Sequence, residues 1–271
     1  IASAPVTING TIFFECRGGK LARGHDGMTF YYVDVNPNEH NFVLEADVNL
    51  LQLGPEGGGN PNGQEGAGLM VRDLNGGARQ DPLQEGFEEV PAASNYAATV
   101  WLRDGVNAMT RTGVEEPWGT VGSVRTVQRL TNDSSLNIGA GTGDVIRMRL
   151  ERTDNEFIMS ASYPFSSDPT AVYSRTLIGA DWVQDIDPNN MTVGFFAARN
   201  ALVEFTNASF SLSEAHTQAR PVSPPPSVTP TFDLLMNSVS GSTEVPVRGR
   251  SNVNGTLTLA LNGEALEGTY E

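Results

Sequence analysis

Two short stretches of the chain share a design. GLMVRD (68–73) and GFFAARN (194–200) each run from a glycine through apolar residues to an arginine, followed by Asp or Asn. A guanidinium fork matches a carboxylate in two-point geometry, so Arg72 and Arg199, near the ends of two inner strands, form a candidate anion-recognition pair. Aromatic rings suit the flat apolar faces of ring-shaped ligands, and Tyr96, Trp101 and Trp118 are the candidates. Asp26, Asp34 and Asp73 are candidate oxygen ligands for a structural Ca2+, although no EF-hand spacing accompanies them. A structural reading competes at each position: Arg72–Asp73 as one end of an ion pair, Trp101 as core, Arg199 as a strand terminus.

Other chemistries fail on residue type or spacing. The glycine-rich stretch GPEGGGNPNGQEGAGLMVRD (54–73) lacks the lysine and Ser/Thr of a phosphate-binding loop, and a strand follows it where that loop needs a helix. It reads as a long connection between strands at 41–53 and 66–73. The histidines are His25, His40 and His216; with no G-x-S-x-G elbow and no H-E-x-x-H, they support neither a nucleophilic triad nor a zinc hydrolase. Glu45 and Asp47 alternate on one strand and are a carboxylate pair of the kind glycoside hydrolysis needs. Solvent-facing acids are, however, the default in a chain with 32 Asp and Glu. Glu115 and Glu116, beside Pro117 and Trp118, fall in a loop.

The formal net charge of −15 disfavours a nucleic-acid groove or an anionic membrane as partner. No run of 18 apolar residues is present to span a membrane. One cysteine, Cys16, excludes an intrachain disulfide; at the end of TIFFEC it reads as a small buried core residue.

The elements that must position these residues are strands. In NFVLEADVNLLQL (41–53), Phe42, Leu44, Ala46, Val48 and Leu50 share one face, while Glu45, Asp47 and Asn49 share the other. The runs at 96–102, 144–152, 155–163, 191–199 and 201–212 alternate in the same way, and Asp154-Asn155 predicts a hairpin over 144–163. No segment carries a helical apolar stripe. The fold class is therefore all-β, with two antiparallel sheets packed face to face. ARPVSPPPSVTPTF (219–232) is a stiff proline-rich linker, giving a β-sandwich over 1–218, a linker over 219–231 and the start of an immunoglobulin-like β module over 232–271. About forty residues of that module are too few to bury a core alone, so the chain reads as part of something longer.

Three stretches, HDGMTFYYVDVNPNEHNFVLEADV (25–48), QEGAGLMVRD (64–73) and MTVGFFAARNALVEFTNASF (191–210), together with the hairpin RLERTDNEFIMSAS (149–162), carry a family resemblance. Over about residues 10–213 the chain resembles the concanavalin-like, laminin-G-like jelly-roll modules of bacterial extracellular polysaccharide-degrading proteins. It looks most like accessory modules of secreted pectate-lyase-type enzymes, where such a sandwich precedes an immunoglobulin-like module and a β-helical catalytic domain. The resemblance implies a jelly-roll sandwich in a larger multidomain chain, secreted or at the bacterial cell surface. It also implies a non-catalytic carbohydrate-recognition or spacer role; the arginine pair, read from the residues, is the candidate fork for the carboxylate of a uronate-containing polysaccharide as partner. An adhesion or surface-structural module is the first alternative. The second is a jelly-roll polysaccharide lyase or glycoside hydrolase in its own right, disfavoured because the R-[ST]-E-L-R, Q-[IV]-H and E-x-D-x-x-E strands of such enzymes are absent.

Overall fold

A computed structural model of the chain describes residues 6–8, 10–17, 21–22, 25–55, 59–61, 63–73, 94–114, 124–180, 183 and 187–215, and two short strand pairs nearer the C-terminus. The chain divides into two units, Ile1–Thr217 and Gln218–Glu271. In the first, the strands are β1 (Val6–Ile8), β2 (Ile12–Cys16), β3 (Leu21–Ala22), β4 (His25–Asp26), β5 (Thr29–Val35), β6 (His40–Leu53), β7 (Gly66–Arg72) and β8 (Tyr96–Leu102). They continue with β9 (Gly105–Thr112), β10 (Val124–Arg129), β11 (Ile146–Thr153), β12 (Glu156–Ser162), β13 (Val172–Leu177), β14 (Met191–Ala198) and β15 (Ala201–Glu214). In the second, β16 (Leu235–Met236) pairs with β17 (Val247–Arg248), and β18 (Ala260–Leu261) with β19 (Glu264–Ala265). The predicted linker over 219–231 and the rest of the predicted immunoglobulin-like module lie outside the described residues.

Two antiparallel sheets form the sandwich, as the alternation predicts. The first has the order β1-β15-β6-β11-β12-β13, with β2 also pairing with β15; the second has the order β10-β9-β8-β7-β14-β5. Between them the inward residues of both sheets interdigitate: Phe42, Leu44, Ala46, Val48 and Leu50 from β6 meet Leu69, Val71, Trp101, Val193 and Phe195 from the second sheet, and Cys16 joins them. β11 and β12 form the expected hairpin. Its turn residue Asp154 has φ 53°, a conformation that a short polar side chain tolerates, and its carboxylate accepts from Asn41 Nδ2 at 3.1 Å. Near the middle of β15, Asn207 and Ala208 stand opposite the single residue Ala46, and Asn207 takes the positive φ (47°) of this bulge.

The outer faces of the two sheets differ. On the first sheet Glu45, Asp47, Arg147, Arg149 and Glu151 form a half-buried ladder of ion pairs open to water. On the second, β7, β8 and β14 are buried along their whole length, on both faces. A second apolar cluster of Leu21, Met70, Tyr96, Ala98, Val100, Leu102, Met109, Phe196 and Ala198 accounts for this. The period-2 pattern does not distinguish the two cases, because apolar residues occupy most outward as well as inward positions of β8 and β14. On the second sheet the edge strands remain open, with Tyr31, Tyr32 and Val33 exposed on β5 and Val124 and Val127 on β10; on the first sheet Val172 is exposed on the edge strand β13.

Close strand approach in the second sheet rests on two glycines. A Cβ on Gly68 would stand 2.1 Å from the Thr99 carbonyl oxygen, and one on Gly194 would stand 2.0 Å from that of Tyr31. Backbone, unlike a side-chain tip, has little room to yield. Gly68→Ala and Gly194→Ala are each expected to cost about 1–3 kcal/mol or more in urea unfolding; a loss below about 0.5 kcal/mol would show that the strands relax freely.

Candidate functional site

Strand register places six residues in one line across the outer face of the second sheet: Asp34, Thr192, Arg72, Tyr96, Arg111 and Arg125. Directly opposed residues share a face, so these side chains project the same way. β4 brings Asp26 onto the line. Its Oδ2 accepts from Arg72 Nη2 at 2.9 Å, from the Ser94 amide at 3.1 Å and from Ser94 Oγ at 3.2 Å. Its Oδ1 accepts from Arg111 Nη1 at 2.6 Å, and Arg111 Nη2 donates to Oδ2 as well. Arg72 Nε reaches Ser94 Oγ at 2.8 Å, and Arg111 Nε reaches the Ser94 carbonyl at 2.6 Å. The Asp26 side chain is 0% exposed and that of Arg72 3%.

Burial is the largest influence on both guanidiniums. It holds Arg72 below its ordinary pKa, against the pull of Asp26. For Arg111 burial also acts downward, but the charge and hydrogen bonds of Asp26 outweigh it and raise the pKa. Both remain cations at any pH at which the protein works. The Arg111 guanidinium lies 4.6 Å from the centre of the Tyr96 ring, and burial raises the Tyr96 phenol above its ordinary value, with Arg111 opposing. Beside this centre Asp73 accepts from the Asn95 amide at 2.9 Å and from Asn95 Nδ2 at 2.6 Å, while Asn95 also bridges to both backbone groups of Val114.

Arg72 and Arg199 do not meet. β7 and β14 run antiparallel, with Arg72 opposite Thr192 and Gly66 opposite Ala198. Arg199 therefore sits a strand length from Arg72, about 20 Å at ~3.3 Å per residue. Its φ of 57° also ends the β14 alternation, so it does not continue the face of Phe195 and Ala197. Arg199 is 32% exposed; Nη1 donates to Gln64 Oε1 at 2.8 Å, and Nε lies 3.4 Å from Glu65, which is 1% exposed and also accepts from Asn200 Nδ2 at 3.0 Å. Trp101 lies in the inter-sheet core at 1% exposure, and Trp118 falls outside the described residues.

The three aspartates are held separately. Both oxygens of Asp26 are bound by arginines, Asp73 is held by Asn95, and Asp34 is exposed on β5 with Asn190 Nδ2 at 3.4 Å. Among the described residues no group of three metal-ligating side chains assembles. Glu45 and Asp47 are likewise engaged, Glu45 by Arg147 and Arg149, and Asp47 by Arg147 and Asn207.

The pectate disaccharide-lyase N-terminal domain family matches residues 1–215. The chain belongs to that family. A pectate disaccharide-lyase of Dickeya chrysanthemi is 39% identical over 97% of the chain, and pectate lyase L of Thermoclostridium stercorarium is 29% identical over 92%. The chain spans 34% and 19% of the lengths of these two relatives. Among solved structures, peanut lectin aligns with 79% of the chain and 100% of its own at 9% identity and a TM-score of 0.46.

Within this pectate disaccharide-lyase N-terminal domain, the reading from sequence missed Arg111, Arg125, Ser94 and Glu65. One signal was available. Met70-Val71-Arg72 and Met109-Thr110-Arg111 repeat a Met-x-Arg pattern that marks the same two rows of the sheet on β7 and β9, with Tyr96 of β8 between the arginines. The glycine-rich connection also does more than join strands. Its consecutive residues Gly63 and Gln64 accept hydrogen bonds from Arg125 on β10 and Arg199 beyond β14, so two arginines from strands with three others between them converge on one point of the connection.

Removing the charge at Asp26 leaves two buried guanidiniums facing each other. Asp26→Asn is expected to lower unfolding free energy by about 3–5 kcal/mol in a denaturant titration. The pH dependence is also specific. Burial, with Tyr173 adding to it, pushes the Tyr163 phenol up to about 12. Folding then favours the neutral phenol: the stabilisation is complete below the unfolded value of about 10 and is lost as pH rises from about 10 to about 12. Phenolate absorbance is expected to keep rising above about pH 10, with a late component missing in Tyr163→Phe.

Proposed function

We propose that this domain is a non-catalytic accessory module of an exported bacterial pectate-degrading enzyme and that it recognises acidic polysaccharide. Membership of the pectate disaccharide-lyase N-terminal domain family carries the reading. Two features of the fold support it. The paired carboxylates that hydrolysis would use, Glu45 and Asp47, are neutralised by arginines on the open face of the first sheet. Arg199 is positioned differently from the other candidate: Arg72 is enclosed, whereas Arg199 is one-third exposed and commits Nε and Nη1 to the glycine-rich connection. That leaves Nη2 to donate to a sugar-acid carboxylate at the end of the sandwich, a charge-assisted bond to a rigidly held guanidinium.

The test is affinity electrophoresis of the chain in gels containing polygalacturonate, methylated pectin, alginate or a neutral glucan, each with calcium and with chelator. Retardation by polygalacturonate is expected, weakened about tenfold in Arg199→Ala, as loss of one charged hydrogen bond predicts. No ultraviolet-absorbing unsaturated product is expected on incubation with the polymer. Migration unaffected by every polymer would replace recognition with a spacer or adhesion role.

A further inference from the structure

At its β10 end the line of charges on the second sheet does not balance, since Asp34 lies at the opposite edge, on β5. Arg72 and Arg111 are matched by the bonded carboxylate of Asp26 and by Asp73, whose charge acts on both. Arg125, the third guanidinium of the line, has no carboxylate partner among the described residues. Its Nη2 donates to the Gly63 carbonyl at 3.1 Å and lies 3.3 Å from the Met109 thioether, a weak acceptor. Its Nε is buried with no hydrogen-bond partner. Two strands away in the same line, the fully buried Tyr96 presents a hydroxyl that is also buried and without a partner. A buried donor left unmade costs about 1–3 kcal/mol, more for a charged group. Here two of them coincide with an uncompensated cation.

The two orphans belong together. Tyr96 stands opposite Arg111, and Arg111 opposite Arg125, so the three side chains leave the same face. Two inter-strand spacings, about 10 Å, separate the backbones of Tyr96 and Arg125, a gap that side chains of this length close around a small group. Arg125 is among the charges that bear on the Tyr96 phenol. Both orphaned atoms are hydrogen-bond donors, and an arginine Nε–H has no other role. Two donors and an excess positive charge call for an acceptor that carries negative charge.

We propose that Tyr96 Oη and Arg125 Nε are the donors of a small-anion site on the outer face of the second sheet, beside Arg111, and that a carboxylate is the group it takes. The carboxylate arrives on a free organic acid or on a sugar acid; the second source rests on the proposed function, the site itself does not.

The experiment titrates the whole chain with acetate, galacturonate and galactose in chloride at fixed ionic strength, following the near-ultraviolet tyrosine difference signal and the melting temperature. Acetate and galacturonate are expected to give saturable changes, and galactose none. Tyr96→Phe, which keeps the ring in its core position, and Arg125→Gln are each expected to weaken half-saturation about tenfold or more, while Arg129→Gln on the same strand leaves it unchanged. Tighter binding of galacturonate than of acetate identifies a sugar acid; equal binding identifies a free anion. No saturable response to either anion, an equal response to galactose, or full retention in Tyr96→Phe would overturn the site. Loss of polymer retardation with this response intact would remove the proposed function alone.

Discussion

A carboxylate without water depends wholly on its neighbours, and Asp26 has two guanidiniums, an amide and a hydroxyl arranged around it. Such an arrangement is costly to assemble, because three ions lose hydration, and costly to break, because what remains is an unpaired buried charge. Its value is positional. Asp26 belongs to a two-residue strand that pairs only with β3, while Arg72 and Arg111 belong to the fourth and second strands, respectively, of a six-stranded sheet. The ion cluster is what locates β3 and β4 over that sheet, and Leu21 of β3 enters the outer apolar cluster as a result.

The glycine-rich connection complements this arrangement along the same face. It is held through a carbonyl at Gly63 and a side-chain amide at Gln64, by arginines that start with three strands between them. Where the connection enters β7, Gly66 leaves no room for a side chain: a Cβ there would press against Leu102 and the Trp101 carbonyl. Ions at one end and hydrogen bonds to arginine at the other thus frame a layer of methionine, alanine and valine. The first sheet has no such cover, and its outward residues are those of an ordinary wetted sheet: paired acids and arginines at one-fifth to one-third exposure. Pairs of that kind add little to stability in water.

The strands were legible in the sequence because alternation over 41–53, 144–163 and 201–212 records one wet face and one dry face, and Asp154-Asn155 punctuates it. The family was legible too, from 25–48, 64–73 and 191–210. What alternation does not report is which strands are dry on both sides. Met70, Ala98, Phe196 and Val100 read as incidental outward apolars, yet they constitute a second core. The candidate residues were affected by the same ambiguity. Arg72 and Asp26 were identified as chemically capable, but their partnership spans 46 positions and no local spacing encodes it. Arg199 departs from its expected face because its backbone enters the left-handed region, an event that nothing in AARNA announces.

A sheet enclosed on both sides has consequences for how the domain can diverge. In an open sandwich, alternate positions of every strand face water and accept substitution with little effect. In β7, β8 and β14 neither set of positions has that freedom, since odd residues fill one core and even residues the other. Tolerated change is therefore confined to the wetted face of the first sheet, the edge strands β5, β10 and β13, and the connections. The centre of the second sheet is the part of this domain that mutation can least afford to explore.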